Sequence, residues 1–260
     1  MKNFTHSFTI IILLMIFSCK NDSTINTTRE ETAKTEVKTR INTAFEVIPI
    51  QHGTLIIEAN SEVIYVDPTG GADAFSDQKN PSLVLITDIH GDHLNIETLE
   101  ALNLNSATLI APKAVIKKIP NTISTTLITL NNGENKQFNS IQIEAIPMYN
   151  LREEALKFHP KGRGNGYVLN INNERIYISG DTEDIPEMRN LKNIDMAFVC
   201  MNLPYTMPVE NAANAVLDFK PSLVYPYHYR GTEGFSDISK FKSLVNDKND
   251  SIEVVFLDWY

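Results

Sequence analysis

Basic side chains are scarce in this chain. Its 260 residues carry 23 Lys and Arg against 32 Asp and Glu, a formal net charge of −9. Binding to a nucleic-acid backbone needs a basic surface, so this balance disfavours a nucleic-acid partner. Cysteine is nearly absent, with only Cys19 and Cys200. If Cys19 is consumed by the processing described below, Cys200 has no intramolecular partner and no disulfide holds the fold. Cys200 lies in the apolar run Met196 to Met201, where a buried, inert thiol is expected. The apolar stretch Phe8 to Phe17 has ten residues, broken by Thr9. It is too short to span a bilayer, which takes about 20 residues. Histidine is also rare, six in all.

What the first forty residues do contain reads as targeting. Lys2 followed by Phe8–Phe17 has the pattern of a signal segment over residues 1–18. Ile16-Phe17-Ser18-Cys19 resembles a bacterial lipobox. That resemblance implies cleavage before Cys19, lipidation of its thiol and anchoring in the cell envelope, at the periplasmic face or the cell surface. A plain signal peptide or an N-terminal anchor is the other reading. Residues 19–40 are rich in Thr, Asn, Glu and Lys and read as a disordered tether. Residues 41–260 suit one domain with a sizeable core.

Within that domain the chain is organised around Thr87-Asp88-Ile89-His90-Gly91-Asp92-His93. The apolar run Leu83–Ile86 before it reads as a buried strand. Asn95 after it is an N-cap for a helix with Ile96, Leu99 and Leu102 on one face. Asp88, His90, Asp92 and His93 therefore share one strand-to-helix turn. Buried without partners, such groups cost free energy, and one divalent metal or a pair of them is the simplest partner.

Elsewhere the pattern predicts strands over 46–50, 55–59, 62–67, 108–110, 126–130, 138–146, 166–171, 174–179, 194–199, 223–225 and 252–257. Short helices are expected after Pro112, after Pro208 and around Phe241 and Leu244. Asn172-Asn173 reads as a two-residue hairpin turn. Pro147 and Pro226 mark strand ends, because proline offers no amide to a ladder. Strands alternating with helices indicate an α/β fold. Asp67, Asp181 and His228 all fall at strand ends, and His159 lies in the long segment between 148 and 165.

The stretch 88–93 resembles the His-x-His-x-Asp-His signature of metallo-β-lactamase-fold hydrolases, with Asp88 in place of the first histidine. The wording from His52 through Asp67-Pro68 is similar to the opening of the lactonase-like branch. This implies a four-layer αβ/βα sandwich of two mixed sheets with outer helices, covering 41–260. It implies a metal-dependent hydrolase with two zinc ions. Asp88, His90 and His159 would hold one ion and Asp92, His93 and His228 the other, with Asp181 bridging. Asp92 would also orient the nucleophile, giving it the catalytic role. His159 stands in a Phe158-His159-Pro160-Lys161-Gly162 stretch, and lining the site mouth is its alternative role. Asp181 could equally cap a helix.

Other residues have two readings each. His52 is a residue behind the ligands or facing substrate, or a half-exposed turn histidine. Asp67 fixes an imidazole tautomer or caps a turn. Tyr149, Lys161 and Arg163 are expected behind the ligands or facing substrate; the two cations would bind an anionic substrate group, or else are solvated loop charges. Of the histidines, only His6 lies in the signal segment; the other five all fall at or near site positions.

Asp88 adds a carboxylate to the site and leaves it one charge unit less positive. A less positive site acidifies its bound water less, so a higher kinetic pKa is expected. A harder oxygen ligand also makes manganese or iron more tolerable, and a weak first site would leave one working ion. The expected activity is hydrolysis of a lactone, ester or related bond in a small molecule. The alternatives are a phosphodiesterase or phospholipase of the same fold, or a non-catalytic metal-binding surface lipoprotein.

Overall fold

A computed structural model describes Met1, residues 45–59 and residues 61–260. Residues 2–44, which include the rest of the signal segment, Cys19, the tether and the start of the expected domain, lie outside the described residues, as does Asn60. Two mixed sheets carry the domain. The first runs β1(Phe45–Gln51), β2(Thr54–Ala59), β3(Glu62–Val66), β4(Leu83–Leu85), β5(Thr108–Ala111) and β6(Thr126–Thr129), in that order across the sheet. Its first three strands form an antiparallel meander, and β3 to β6 are parallel.

The second sheet has β7(Asn135–Phe138), β8(Ile141–Met148), β9(Gly164–Ile171) and β10(Glu174–Ile178) antiparallel. It continues in parallel through β11(Met196–Cys200), β12(Leu223–Tyr227) and β15(Glu253–Val254). A small ribbon, β13(Arg230–Gly231) with β14(Gly234–Phe235), stands apart. The helices are α1(Ile96–Ala101), α2(Lys113–Ile116), α3(Pro186–Arg189), α4(Val209–Phe219) and α5(Ile238–Asn246).

Residue parity explains the layers. Leu55, Ile57, Ile64, Leu83 and Leu85 face inward with Ile141, Ile143, Leu169 and Ile178 of the second sheet. The intervening Ile56, Tyr65, Val84 and Ile86 pack outward with Leu99 and Val115, on or beside α1 and α2. Covered on both faces, these strands read as continuous apolar runs rather than alternation. On the far side, Met188 of α3, Ala212, Val216 and Phe219 of α4 and Phe241 of α5 are buried with the second sheet. The four-layer sandwich of two mixed sheets is therefore present, with few helices.

Asn95 caps α1, accepting from Thr98 N at 2.8 Å. Asn172 and Asn173 both have positive φ, 55° and 67°, which suits a two-residue hairpin turn between β9 and β10. Three readings need correction. The run 138–146 belongs to a hairpin, β7 and β8, turned at Asn139 with φ 47°. Pro147 lies inside β8 and Pro226 inside β12. On one flank β7 stops pairing at Glu144, and β15 stops at Val224. Each proline thus stands where that flank has no strand requiring its amide. The last strand is only Glu253–Val254.

Candidate metal centre

The site lies where strands end. Asp67 follows β3, Thr87 to His93 follow β4, Asp181 follows β10, Asn202 follows β11 and His228 follows β12. Backbone hydrogen bonds tie these ends together: Asp67 N donates to Leu85 O at 2.9 Å, Asn165 N to Thr87 O at 2.9 Å, and His228 N to His52 O at 3.2 Å. Among the described residues, eight other than glycine have positive φ, and His52, Asp67 and His228 are three of them. Such backbone costs of order 1–3 kcal/mol per residue persist where the surroundings hold them, commonly at functional sites. Gly53 lets the β1–β2 turn approach: a Cβ there would lie 3.1 Å from His228 Cδ2.

Three imidazoles and a carboxylate converge at the centre. Asp181 Oδ1 lies 3.1 Å from His228 Nε2. Asp181 Oδ2 lies 3.4 Å from His93 Nε2 and 3.3 Å from His159 Nε2. The Nε2 atoms of His93 and His228 are 3.2 Å apart. His93, His159, His228 and Asp181 are all buried. His159 donates Nδ1–H to the Tyr205 carbonyl at 3.1 Å, so its Nε2 keeps a lone pair. His159 Nε2 and Asp181 Oδ1 make no hydrogen bond. Buried lone pairs facing one another with too few protons between them fit a bound cation.

The surroundings set each group's state. Asp67 Oδ2 accepts from His93 Nδ1 at 2.7 Å, while Thr87 N and Oγ1 donate to Asp67 at 2.7 and 2.6 Å. Asp67 thus fixes the imidazole, with Nε2 toward Asp181. Burial opposes charge on His93, yet the carboxylates of Asp181 and Asp67 outweigh it and raise its pKa well above the usual value. Burial pushes His228 down to about 3. Asp181 is also opposed by burial, but the charges of His228 and His93 hold its carboxyl well below the usual range.

Asp92 is the accessible member, its side chain 43% exposed and 3.3 Å from His52 Nε2. It lies 3.6 Å from His228 Nε2. Burial raises its pKa, but the hydrogen bond from His52 and the charge of His93 prevail and keep it ionised. His52 is brought to the site, and its Nδ1 lies 2.7 Å from the Tyr260 hydroxyl. A cavity of about 380 Å³ opens over Asp92, Asp181, His90 and His159, walled by Phe158, Tyr205 and Asn202. Phe158 and Tyr205 meet edge to face, 5.0 Å between centroids. A second cavity of about 460 Å³ lies on the His52 side of Asp92 and reaches Arg230.

Asp88, His90 and His159 also cluster. His90 Nδ1 lies 2.8 Å from Asp88 Oδ2, and His159 Nε2 lies 3.9 Å from it. Of the two places expected for Arg163, behind the ligands or at the substrate, it takes the first, and it is not a solvated loop charge. Its Nε donates to Asp88 Oδ1 at 3.0 Å and its Nη2 to Oδ2 at 2.9 Å. This corrects the charge count made from sequence: the guanidinium offsets the added carboxylate, and the reason for a raised kinetic pKa falls away.

The structure does not bring Tyr149 and Lys161 to the cavity. Their hydroxyl and ammonium both bond Glu187, at 2.9 Å each. Asp181 caps no helix, since α3 is capped by Ile185. Sequence reasoning missed Asn202, whose Nδ2 lies 3.5 Å from both Asp181 Oδ2 and His228 Nε2. It also missed Tyr260 and the Phe158–Tyr205 wall. Asn202 was detectable as one more polar residue directly after an apolar strand.

A profile of the beta-lactamase superfamily domain matches residues 46–228. A UPF0173 metal-dependent hydrolase of Pyrococcus horikoshii is 30% identical over 217 residues, covering 79% of this chain and 93% of that protein. The crystal structure of a metal-dependent hydrolase from Parabacteroides distasonis superposes with a TM-score of 0.74 at 36% identity, covering 83% of this chain and 94% of the other. Igni18, a metallo hydrolase from Ignicoccus hospitalis, shares the fold with a TM-score of 0.69 at 19% identity, covering 83% and 95% of the two chains.

Proposed function

The chain belongs to the beta-lactamase superfamily and, within it, to the UPF0173 family of metal-dependent hydrolases, and from that premise we propose that it hydrolyses a lactone, ester or related bond in a small molecule with zinc as the metal. One observation carries this reading: the lone pairs of His159 Nε2 and Asp181 Oδ1 are buried without hydrogen bonds, beside His93 and His228. The group His93, His228 and Asp181 would hold zinc, which favours imidazole and carboxylate ligands, with His159 facing the same carboxylate. Manganese or iron is the alternative metal, since carboxylate ligands also suit harder ions. Bound there, the ion would supply an acidified water and polarise the scissile oxygen.

The chain's own residues do the rest. Asp92 is ionised and accessible, so it can accept a proton from the attacking water and orient it. His52, hydrogen-bonded to Asp92 and Tyr260, holds that carboxylate in place. Asn202 lines the cavity with an amide donor suited to negative charge developing on the substrate oxygen. The Phe158–Tyr205 wall offers apolar surface to an acyl chain or lactone ring. The lactonase-like branch is proposed on the sequence from His52 to Pro68.

The protein is further proposed to be a lipoprotein of the bacterial cell envelope, anchored through Cys19 after loss of residues 1–18, with a tether to residue 40. Proximity to lipid, and Arg230 in the second cavity, favour a phosphodiesterase or phospholipase as the alternative activity. Full chain purified without chelator should hydrolyse at least one of a lactone, an aryl ester, a phosphodiester and a chromogenic β-lactam. Chelation should abolish turnover and zinc should restore it. Metal-free protein with no turnover after zinc addition would remove the hydrolase reading. Labelling with an alkyne fatty acid that persists in Cys19→Ala would remove the Cys19 anchor.

A further inference from the structure

Arg163 is placed by the fold, not by chance loop geometry. It directly precedes β9, and the Asn165–Thr87 hydrogen bond fixes that strand start against the end of β4. Arg163 is thereby set opposite Asp88, 75 residues away in sequence. Its fork takes both carboxylate oxygens, and Nη2 also donates to the Phe158 carbonyl. The Asp88 side chain is fully buried, and that of Arg163 is 17% exposed. His90 is held in the same network, Nδ1 on Asp88 and Nε2 3.3 Å from Arg163 Nη2. By contrast, His159 Nε2 has no hydrogen-bond partner.

Resting on the metal-dependent reading above, we propose that Arg163 is a resident cation of the Asp88–His90–His159 cluster. The chain therefore holds one metal ion tightly, at the His93–His228–Asp181 group, and a second only weakly. The physical reasons are three. A metal arriving at Asp88 must share oxygens that already accept charge-assisted bonds. A guanidinium stays protonated at any working pH, so it cannot yield its charge as an imidazolium can. Its positive charge also repels a dication at the same carboxylate. Removing a supporting outer partner of a ligand costs roughly 10–100-fold in metal affinity; this partner is a cation competing for the ligand oxygens, so a change of that size with the opposite sign is expected.

The test is metal stoichiometry. Full chain loaded with excess zinc is dialysed against a moderate chelator, and zinc per chain is measured together with a competition isotherm. One retained ion and a second dissociation constant weaker by roughly 10–100-fold are expected. In Arg163→Met, Asp88 is freed and two ions should be retained. In Arg163→Lys, which keeps the charge, one should remain. Two equally tight ions in the unaltered chain would overturn this inference and leave the hydrolase reading standing. No ion at any zinc concentration would overturn both. One ion in a folded Arg163→Met would show that Arg163 does not limit the second site. Should that variant fail to fold, the isotherm of the unaltered chain and the stoichiometry of Arg163→Lys decide.

Discussion

Replacing Asp67 with asparagine keeps the side chain's shape and changes only what it accepts. Asp67 is fully buried and receives three donors: Thr87 N, Thr87 Oγ1 and His93 Nδ1. In Asp67→Asn the amide oxygen can still accept from Thr87 N. The amide nitrogen then faces Thr87 Oγ1 and His93 Nδ1. The hydroxyl can rotate to accept, but the imidazole loses the acceptor for its Nδ1–H. The tautomer that keeps Nδ1–H and leaves Nε2, 3.4 Å from Asp181 Oδ2, free for a metal is then disfavoured. Removing such an outer partner weakens metal binding about 10–100-fold, or about 1.4–2.8 kcal/mol. Zinc affinity measured at pH 7.5 by competition with a chromophoric chelator should show that loss. Circular dichroism of the metal-free variant should match the unaltered chain. A folded variant within threefold of the original affinity would refute the tautomer argument.

Further outcomes are expected. At pH 7 metal-free His93 carries a proton, because Asp181 and Asp67 outweigh burial and raise its pKa, whereas His228, at about 3, does not. Metal binding should thus release about one proton and tighten as pH rises toward the raised His93 value; calorimetry in two buffers that shows no release would contradict this. Burial pushes the Cys200 thiol up to about 12, so a thiol reagent at pH 8 should modify the Cys200 peptide only in denaturant. Rapid labelling of folded protein would count against that burial. Gly180 has φ 60°, and a Cβ there would stand 2.6 Å from Met148 Sδ. Gly180→Ala should cost about 1–3 kcal/mol in urea unfolding, and a loss below about 0.5 kcal/mol would mean the Met148 floor yields freely.

The fold was legible where burial repeats along the chain. Runs such as Leu83–Ile86 are apolar at every position because alternate residues face two different apolar layers. The turn 87–93 was legible because polar ligand types crowd directly after such a run. Register was not legible. Pro147 and Pro226 looked like strand ends, yet each sits where one neighbouring strand has already stopped. The partner of Arg163 depends on how β9 aligns with the end of β4, and no local pattern encodes that alignment. The inward turn of His159 likewise depends on a long-range contact, its Nδ1 meeting the Tyr205 carbonyl 46 residues on.

The distance along the chain between His93 and His228, 135 residues, bears on the order of assembly. Contacts so far apart form late, because the loop-closure entropy between them must be overcome first. His93 arrives with the first sheet, and His159, Asp181 and His228 with the second. Neither half alone offers the full ligand set. Binding by the complete set therefore requires the two sheets to have docked, unlike a small finger domain that zinc itself folds, which makes tight metal uptake a reporter of completed folding.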